Sequence, residues 1–183
     1  MFLVIPVIYF YNKEKEIKKI LIPSKKGLLK SFLLGIGIYA IILGAYFIFK
    51  NIYDFSNITD VLTKNVGVSK NNFIFVSFYI AFCNSFLEEW FFRGIAFLNI
   101  IKYVGRKKAY FFSSFMFAIY HILIMKGWFS PVIFVIVMLG LIIGGYIFNY
   151  LDEKNENIYN SWMLHMFANF SINTIGLLLF GII

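Results

Sequence analysis

The sequence predicts an all-α fold, a polytopic transmembrane helix bundle with about five full spans plus a short N-terminal apolar segment, and three observations carry that prediction. Hydrophobic residues make up 61% of the 183-residue chain and charged residues 14%, with a mean hydropathy of +0.80, where soluble domains carry roughly 25% charged residues. Apolar runs near the roughly 20 residues that a bilayer requires recur along the chain. Lysines and arginines gather between those runs rather than within them. With each span taking roughly 20 residues and a short connection, residues 1–183 are expected to form a single transmembrane domain.

The elements follow in order. Met1 to Tyr11 is apolar, too short to cross and interrupted by Pro6; it reads as the end of a truncated helix. No positive region precedes it and no small-residue cleavage site follows it, so a signal peptide is not expected. Residues 12–30 form a basic connector at the membrane surface. Ser31 to Phe49 is the first clean span, with Gly35, Gly37 and Gly44 offering close-approach surfaces. Asn51 to Asn72 is polar and is expected to be a loop with a short interfacial helix.

Phe73 to Ile101 is a long apolar segment closed by Lys102, Arg106, Lys107 and Lys108. Ala109 to Met125 is the next span, turning at Lys126 and Gly127. Trp128 to Leu151 spans again, with Pro131 near its start, where a missing N–H does least harm. Asp152 to Asn160 reads as a polar loop, and Ser161 to Ile183 as the last span.

The net charge of +8 does not indicate nucleic acid, because the positive residues lie in the connections rather than along one face. Anionic lipid headgroups at the basic loops are the expected partner. With residues 12–30, 102–108 and 152–160 cytoplasmic, the inside connections hold twelve lysines and arginines and the outside ones four, which gives the expected orientation of a multi-pass cell-membrane protein. Cys83 is the only cysteine, which excludes an internal disulfide and a cysteine-based metal site.

Five ionisable groups remain inside the predicted spans: Glu88, Glu89, Arg93, His121 and His165. A charge at the bilayer centre costs at least roughly 2.5 kcal/mol on insertion scales, so such groups need partners or a water-filled cavity, and they mark function by default. Residues i and i+4 share a helix face, so Glu89 can pair with Arg93; a purely structural salt bridge is the plain alternative there. Glu88 is turned about 100° away and is the freer carboxylate, hence the better general base.

His121 lies on the following span and His165 on the last, with Asn169 one turn further along the same face. Glu88 with His121 makes a water-activating pair, and His165 with Asn169 can donate to an oxyanion. Two histidines and a glutamate also make a zinc ligand set, so Glu88, His121 and His165 are the candidates if a metal is used. No HExxH pair is present, and spacing does not choose between the two readings. Counted along straight helices, Glu88 lies about 21 Å from Lys102, whereas Asn169 lies about 12 Å and His121 about 18 Å inside their spans. A tilted or protruding glutamate helix, reached from the cytoplasmic half, is therefore expected.

Three segments together resemble a known family. Glu88-Glu89-Trp90-Phe91-Phe92-Arg93-Gly94 is similar to its EExxxR motif, Ser113 to His121 to its FxxxH motif, and His165 to Asn169 to its HxxxN motif. This is the CPBP family of CAAX-prenyl-protease-like and bacteriocin-processing or immunity intramembrane proteases, and the resemblance covers a motif core over residues 73–183. It implies a helical intramembrane endopeptidase acting on a membrane-associated peptide, including lipidated, CAAX-like ones. It assigns water activation to Glu88 and His121 and the oxyanion to His165 and Asn169, with Glu89, Arg93 and Phe117 in support.

Both a metal-dependent and a metal-free glutamate mechanism are argued for the family, so the cofactor, zinc or none, stays open. The N-terminal half departs from the pattern, with one clean span where members have further complete helices. Two other classes stay open: a non-catalytic bacteriocin-immunity membrane protein, and a small proton-coupled carrier.

Overall fold

The computed structural model describes residues 3–11, 19–23, 25–125 and 127–183. Residues 12–18 and 24 of the basic connector expected over residues 12–30, and the turn residue Lys126, lie outside the described residues, while residues 25–30 already belong to the first long helix. Among the described residues the helical elements follow in order: α1 (Val4–Phe10), α2 (Lys25–Phe49), α3 (Ser56–Val61, continued by a π-helical stretch Leu62–Val66), the composite rod α4 (residues 73–95), α5 (Ile101–Val104), α6 (Arg106–Ile124), α7 (Pro131–Asn155) and α8 (Tyr159–Leu179). Among the described residues there is no strand.

Three of these are long and apolar enough to cross a membrane: Gly27–Phe49 within α2, then α7 and α8. The sequence predicts about five, and the other two segments depart for identifiable reasons. α6 has only 19 residues and opens on Arg106, Lys107 and Lys108. α4 changes helical type three times, running as α-helix over Phe73–Phe78, π-helix over Tyr79–Asn84, α-helix over Ser85–Glu89 and π-helix over Trp90–Ile95.

α8 sits at the centre, packed against α2, α4 and α7. Polar side chains register it against α2, which runs parallel to it: Ser31 Oγ donates to Asn160 Oδ1 at 3.1 Å, and Ser171 Oγ donates to the Tyr39 carbonyl at 2.9 Å. Between helices in lipid such bonds act as glue, because apolar side chains gain nothing from leaving one apolar phase for another. Gly35 lets the ring of Phe167 lie directly on the α2 backbone.

α6 and α7 form an antiparallel pair. At Gly145 a Cβ would stand 2.9 Å from Ser114 Cα, so only glycine permits this approach. Asn149 secures it, donating to Ser114 Oγ at 3.2 Å and accepting from Ser113 Oγ at 3.2 Å. At the end of the pair where α6 begins, Arg106 forks onto Glu153 with both Nε–O distances at 3.0 Å, and Tyr110 donates to the same carboxylate at 2.6 Å.

The outer face is apolar: Leu33, Ile41, Ile48, Val132, Leu139 and Ile143 are all exposed, as side chains turned to lipid should be. The buried interior holds polar groups, Glu88, Glu89, Arg93, Asn149, Asp152, Ser161 and His165, beside apolar ones such as Phe92, Phe97 and Leu164.

Two boundaries correct the sequence reading. α4 stops at Ile95 rather than running to Ile101, where the Asn99 amide caps the Gly94 carbonyl at 2.6 Å, and Gly105, at φ +81°, reverses the chain into α6. α7 continues to Asn155, so Asp152 belongs to a helix and not to a polar loop.

Candidate active site

The early end of α4 brings the counted depths of Glu88 and His165 together. Measured from Ile95, Glu88 lies about 10 Å along its rod, and His165 lies about 9 Å from the start of α8 at Tyr159. The two helices run antiparallel, so these depths coincide.

Glu88 and Glu89 occupy the single α-helical turn between the two π-helical stretches of α4. Such bulges cost hydrogen-bond geometry and are frequent at functional sites. Carbonyls in and just before the first bulge are taken up by α8: Asn169 donates to Ile80 at 3.3 Å, Trp162 Nε1 to Phe82 at 3.3 Å, and Asn173 to Ser77, two residues before the bulge, at 3.0 Å. On the second bulge, Ser113 Oγ of α6 donates to the Phe92 carbonyl at 3.0 Å. The irregular backbone is thus satisfied by neighbouring helices, as a lipid environment demands.

The two carboxylates have different partners. Glu89 Oε1 accepts from Arg93 Nη1 at 3.2 Å and from His165 Nδ1 at 2.8 Å. The Arg93 guanidinium is fully buried between two rings, 4.2 Å from the centroid of Phe117 and 4.9 Å from that of Phe148. Stacking on aromatic faces suits a planar, weakly hydrated cation. The expected Glu89–Arg93 pair is therefore present, and Phe117 supports it through the ring.

Glu88 meets no cation at contact distance. Asn84 Nδ2 donates to its Oε1 at 2.6 Å, while Oε2 is buried without a hydrogen-bond partner. That free oxygen faces two imidazoles, His121 Nε2 at 3.9 Å and His165 Nε2 at 3.8 Å. The other ring nitrogens fix the tautomers. His121 Nδ1 lies 2.8 Å from the Phe117 carbonyl, which can only accept, so this nitrogen carries the proton and Nε2 presents a lone pair. His165 Nδ1 likewise donates to the Glu89 carboxylate.

Glu88, His121 and His165 match a zinc ligand set by type, but tetrahedral zinc would space its ligands about 3.3 Å apart, closer than the 3.8 and 3.9 Å found. Among the described residues no group of three His, Cys, Asp or Glu side chains is arranged to hold a metal ion.

Three further participants escape the sequence reading. Asp152 is wholly buried and accepts from Ser161, from its backbone N–H at 3.1 Å and its hydroxyl at 2.6 Å, which ties α7 to α8 beneath the site. Asn149 ties α7 to α6, and Asn84 holds Glu88. The i, i+4 spacing of Asn84 and Glu88 is visible in the sequence; the other two contacts cross between helices and leave no local signal.

Searches of curated proteins and of solved structures each return no match. A protein-family model, described as type II CAAX prenyl endopeptidase Rce1-like, matches residues 70–171, more than half of the chain. That stretch contains Glu88, Glu89, Arg93, Phe117, His121, His165 and Asn169. With three helices able to cross a membrane and this match, the chain is a membrane protein that belongs to the Rce1-like type II CAAX prenyl endopeptidase family.

Proposed function

We propose that the protein is an intramembrane endopeptidase hydrolysing a peptide bond near the C-terminus of a membrane-associated, CAAX-like peptide. The single observation that carries this reading is the buried, unpartnered Oε2 of Glu88, set 3.9 and 3.8 Å from two imidazole nitrogens. Polar atoms at such separations are bridged by water rather than bonded directly.

A water there donates one proton to Glu88 Oε2 and the other to His121 Nε2. As its oxygen attacks the scissile carbonyl carbon, Glu88 takes the first proton. The tetrahedral oxygen accepts from Nε2–H of His165, a role that needs a second proton on the ring whose Nδ1–H is held by the Glu89 carboxylate. It also accepts from the second amide proton of Asn169, whose first is used on Ile80. The C–N bond then breaks, and Glu88 returns its proton to the leaving amine.

The support for a metal-free course is geometric, since Glu88 Oε2 lies 3.9 and 3.8 Å from the two imidazoles, wider than the ligand spacing of tetrahedral zinc. Arg93 and Phe117 keep Glu89, and through it His165, in place. In this reading the protein is a multi-pass cell-membrane protein with residues 12–30 and 102–108 cytoplasmic, and their lysines and arginines lie against anionic headgroups. No observation favours the immunity-protein or carrier readings.

The test is incubation of the purified protein in lipid with prenylated and unprenylated C-terminal peptides, with and without chelator, read by mass spectrometry. A single cleavage near the C-terminus is expected. Transport or binding with no hydrolysis of any peptide would overturn the assignment.

A further inference from the structure

We propose that Asn84 is a positioning residue that selects the reactive oxygen of Glu88. The inference rests on the reading of Glu88 as the general base and adds to it a determinant one turn earlier on the same helix. A carboxylate is two-fold about its last torsion, so an unrestrained Glu88 could present either oxygen, or neither, to the two imidazoles. The Asn84 amide removes that freedom by donating to Oε1 at 2.6 Å, which leaves Oε2 as the oxygen facing His121 and His165.

Asn84 is the last residue of the first π-helical stretch, and Glu88 lies one turn on within the short α-helical turn. Residues four apart share a helix face, so the contact is built into a single rod and does not depend on how the bundle closes. The backbone around Asn84 is also tied to α8, through Trp162 onto Ser85 and Asn169 onto Ile80.

The chemical type of the donor matters as much as its place. Glu89 is held by a guanidinium, and an ion pair of that kind removes much of the basicity of a carboxylate. Glu88 is held by a neutral amide, which orients it without supplying a positive charge at contact distance. The adjacent carboxylates thereby divide their tasks: the cation-bound one anchors His165, and the amide-bound one is left to move a proton.

The test uses the full-length protein in lipid and compares wild type with Asn84→Leu, Asn84→Asp, Asn84→Gln and Glu88→Gln. Asn84→Leu removes the donor at similar volume and should lower kcat by about ten- to a hundredfold, with KM changed less than about twofold, the loss of one hydrogen bond to a charged group. Asn84→Asp keeps the shape but turns the donor into an acceptor, and should lower kcat at least as far. Asn84→Gln, which retains an amide donor, should recover most of it. A wild-type kcat in Asn84→Asp overturns the proposal whether or not the leucine variant folds, as does a loss in Asn84→Leu carried by KM alone. The glutamine variant of Glu88 separates the two levels: if it stays active, the base assignment itself fails; if it is inactive while the Asn84 variants run at wild-type kcat, only the positioning role fails.

Discussion

His121 Nε2 and Glu88 Oε2 face each other at 3.9 Å, too far apart to hydrogen-bond and well placed to share one water. His121 brings a lone pair to that gap because its other nitrogen is committed to the Phe117 carbonyl one turn back on α6. The motif phenylalanine therefore acts twice, through its ring on Arg93 and through its carbonyl on His121. Replacing His121 by Gln, which cannot reproduce the imidazole geometry, should reduce kcat by about a hundredfold or more, the range usual for a lost acid–base partner. Circular dichroism of the variant should match wild type.

Arg93 presents a different kind of dependence. Both members of its pair with Glu89 are fully buried, and removing one leaves an uncompensated charge. Arg93→Met should therefore destabilise the protein by about 3–5 kcal/mol, seen as a lower midpoint of thermal unfolding in detergent. The double variant Arg93→Met, Glu89→Gln should recover part of that loss, because no bare carboxylate remains. A single variant as stable as wild type would show that the pair does not hold the bundle together.

Asn169 and Asn173 separate catalysis from architecture. Asn169 donates to the Ile80 carbonyl within the first π-helical stretch of α4 and Asn173 to the Ser77 carbonyl just before it, at 3.3 and 3.0 Å, but only Asn169 lies one turn from His165. Asn169→Ala should lower kcat by about a hundred- to a thousandfold, as loss of an oxyanion donor does. Asn173→Ala should leave kcat near wild type and cost about 0.6 kcal/mol in stability, a typical interhelical bond in lipid. Equal effects on kcat from the two would argue against an oxyanion role for Asn169.

At Gly145 the prediction is steric. A Cβ there meets the α6 backbone at Ser114, 2.9 Å away, and backbone cannot swing aside. Gly145→Val should cost about 1–3 kcal/mol by overpacking and should also lower activity, since α6 carries His121. Gly140, which has open space around its α-carbon, is the control: Gly140→Ala should be neutral in both assays.

The sequence made the helical class and the reactive residues legible because charges in an apolar chain stand out, and because the Glu89–Arg93 and His165–Asn169 spacings are local to one helix. It did not reveal what depends on contacts between helices. Straight-helix counting placed Glu88 too deep, because nothing local announces that α4 ends at Ile95 under the Asn99 cap. Asp152 read as a loop residue because its neighbours Glu153, Lys154 and Glu156 are polar, yet its carboxylate is wholly buried on Ser161. The partner of His165 was also hidden: Glu89, assigned to Arg93 alone, accepts from both. The π-helical stretches follow no hydrophobic period and became visible only with the carbonyl partners that α8 supplies.

The spacing of Glu88, His121 and His165 leads to a statement about metals. Donors 3.8 and 3.9 Å apart are too open for tetrahedral zinc, so cleavage should persist after exhaustive treatment with chelator. Loss of activity that zinc restores would show that the site contracts around a metal.

The most direct test of the account is the rate at which Glu88→Gln cleaves a membrane-associated C-terminal peptide, measured by mass spectrometry beside wild type in the same lipid. Glutamine keeps the size and can still bond to Asn84, but it cannot take a proton from water. The account predicts intact folding, unchanged peptide binding and a kcat reduced at least about a hundredfold. Cleavage at the wild-type rate would contradict it.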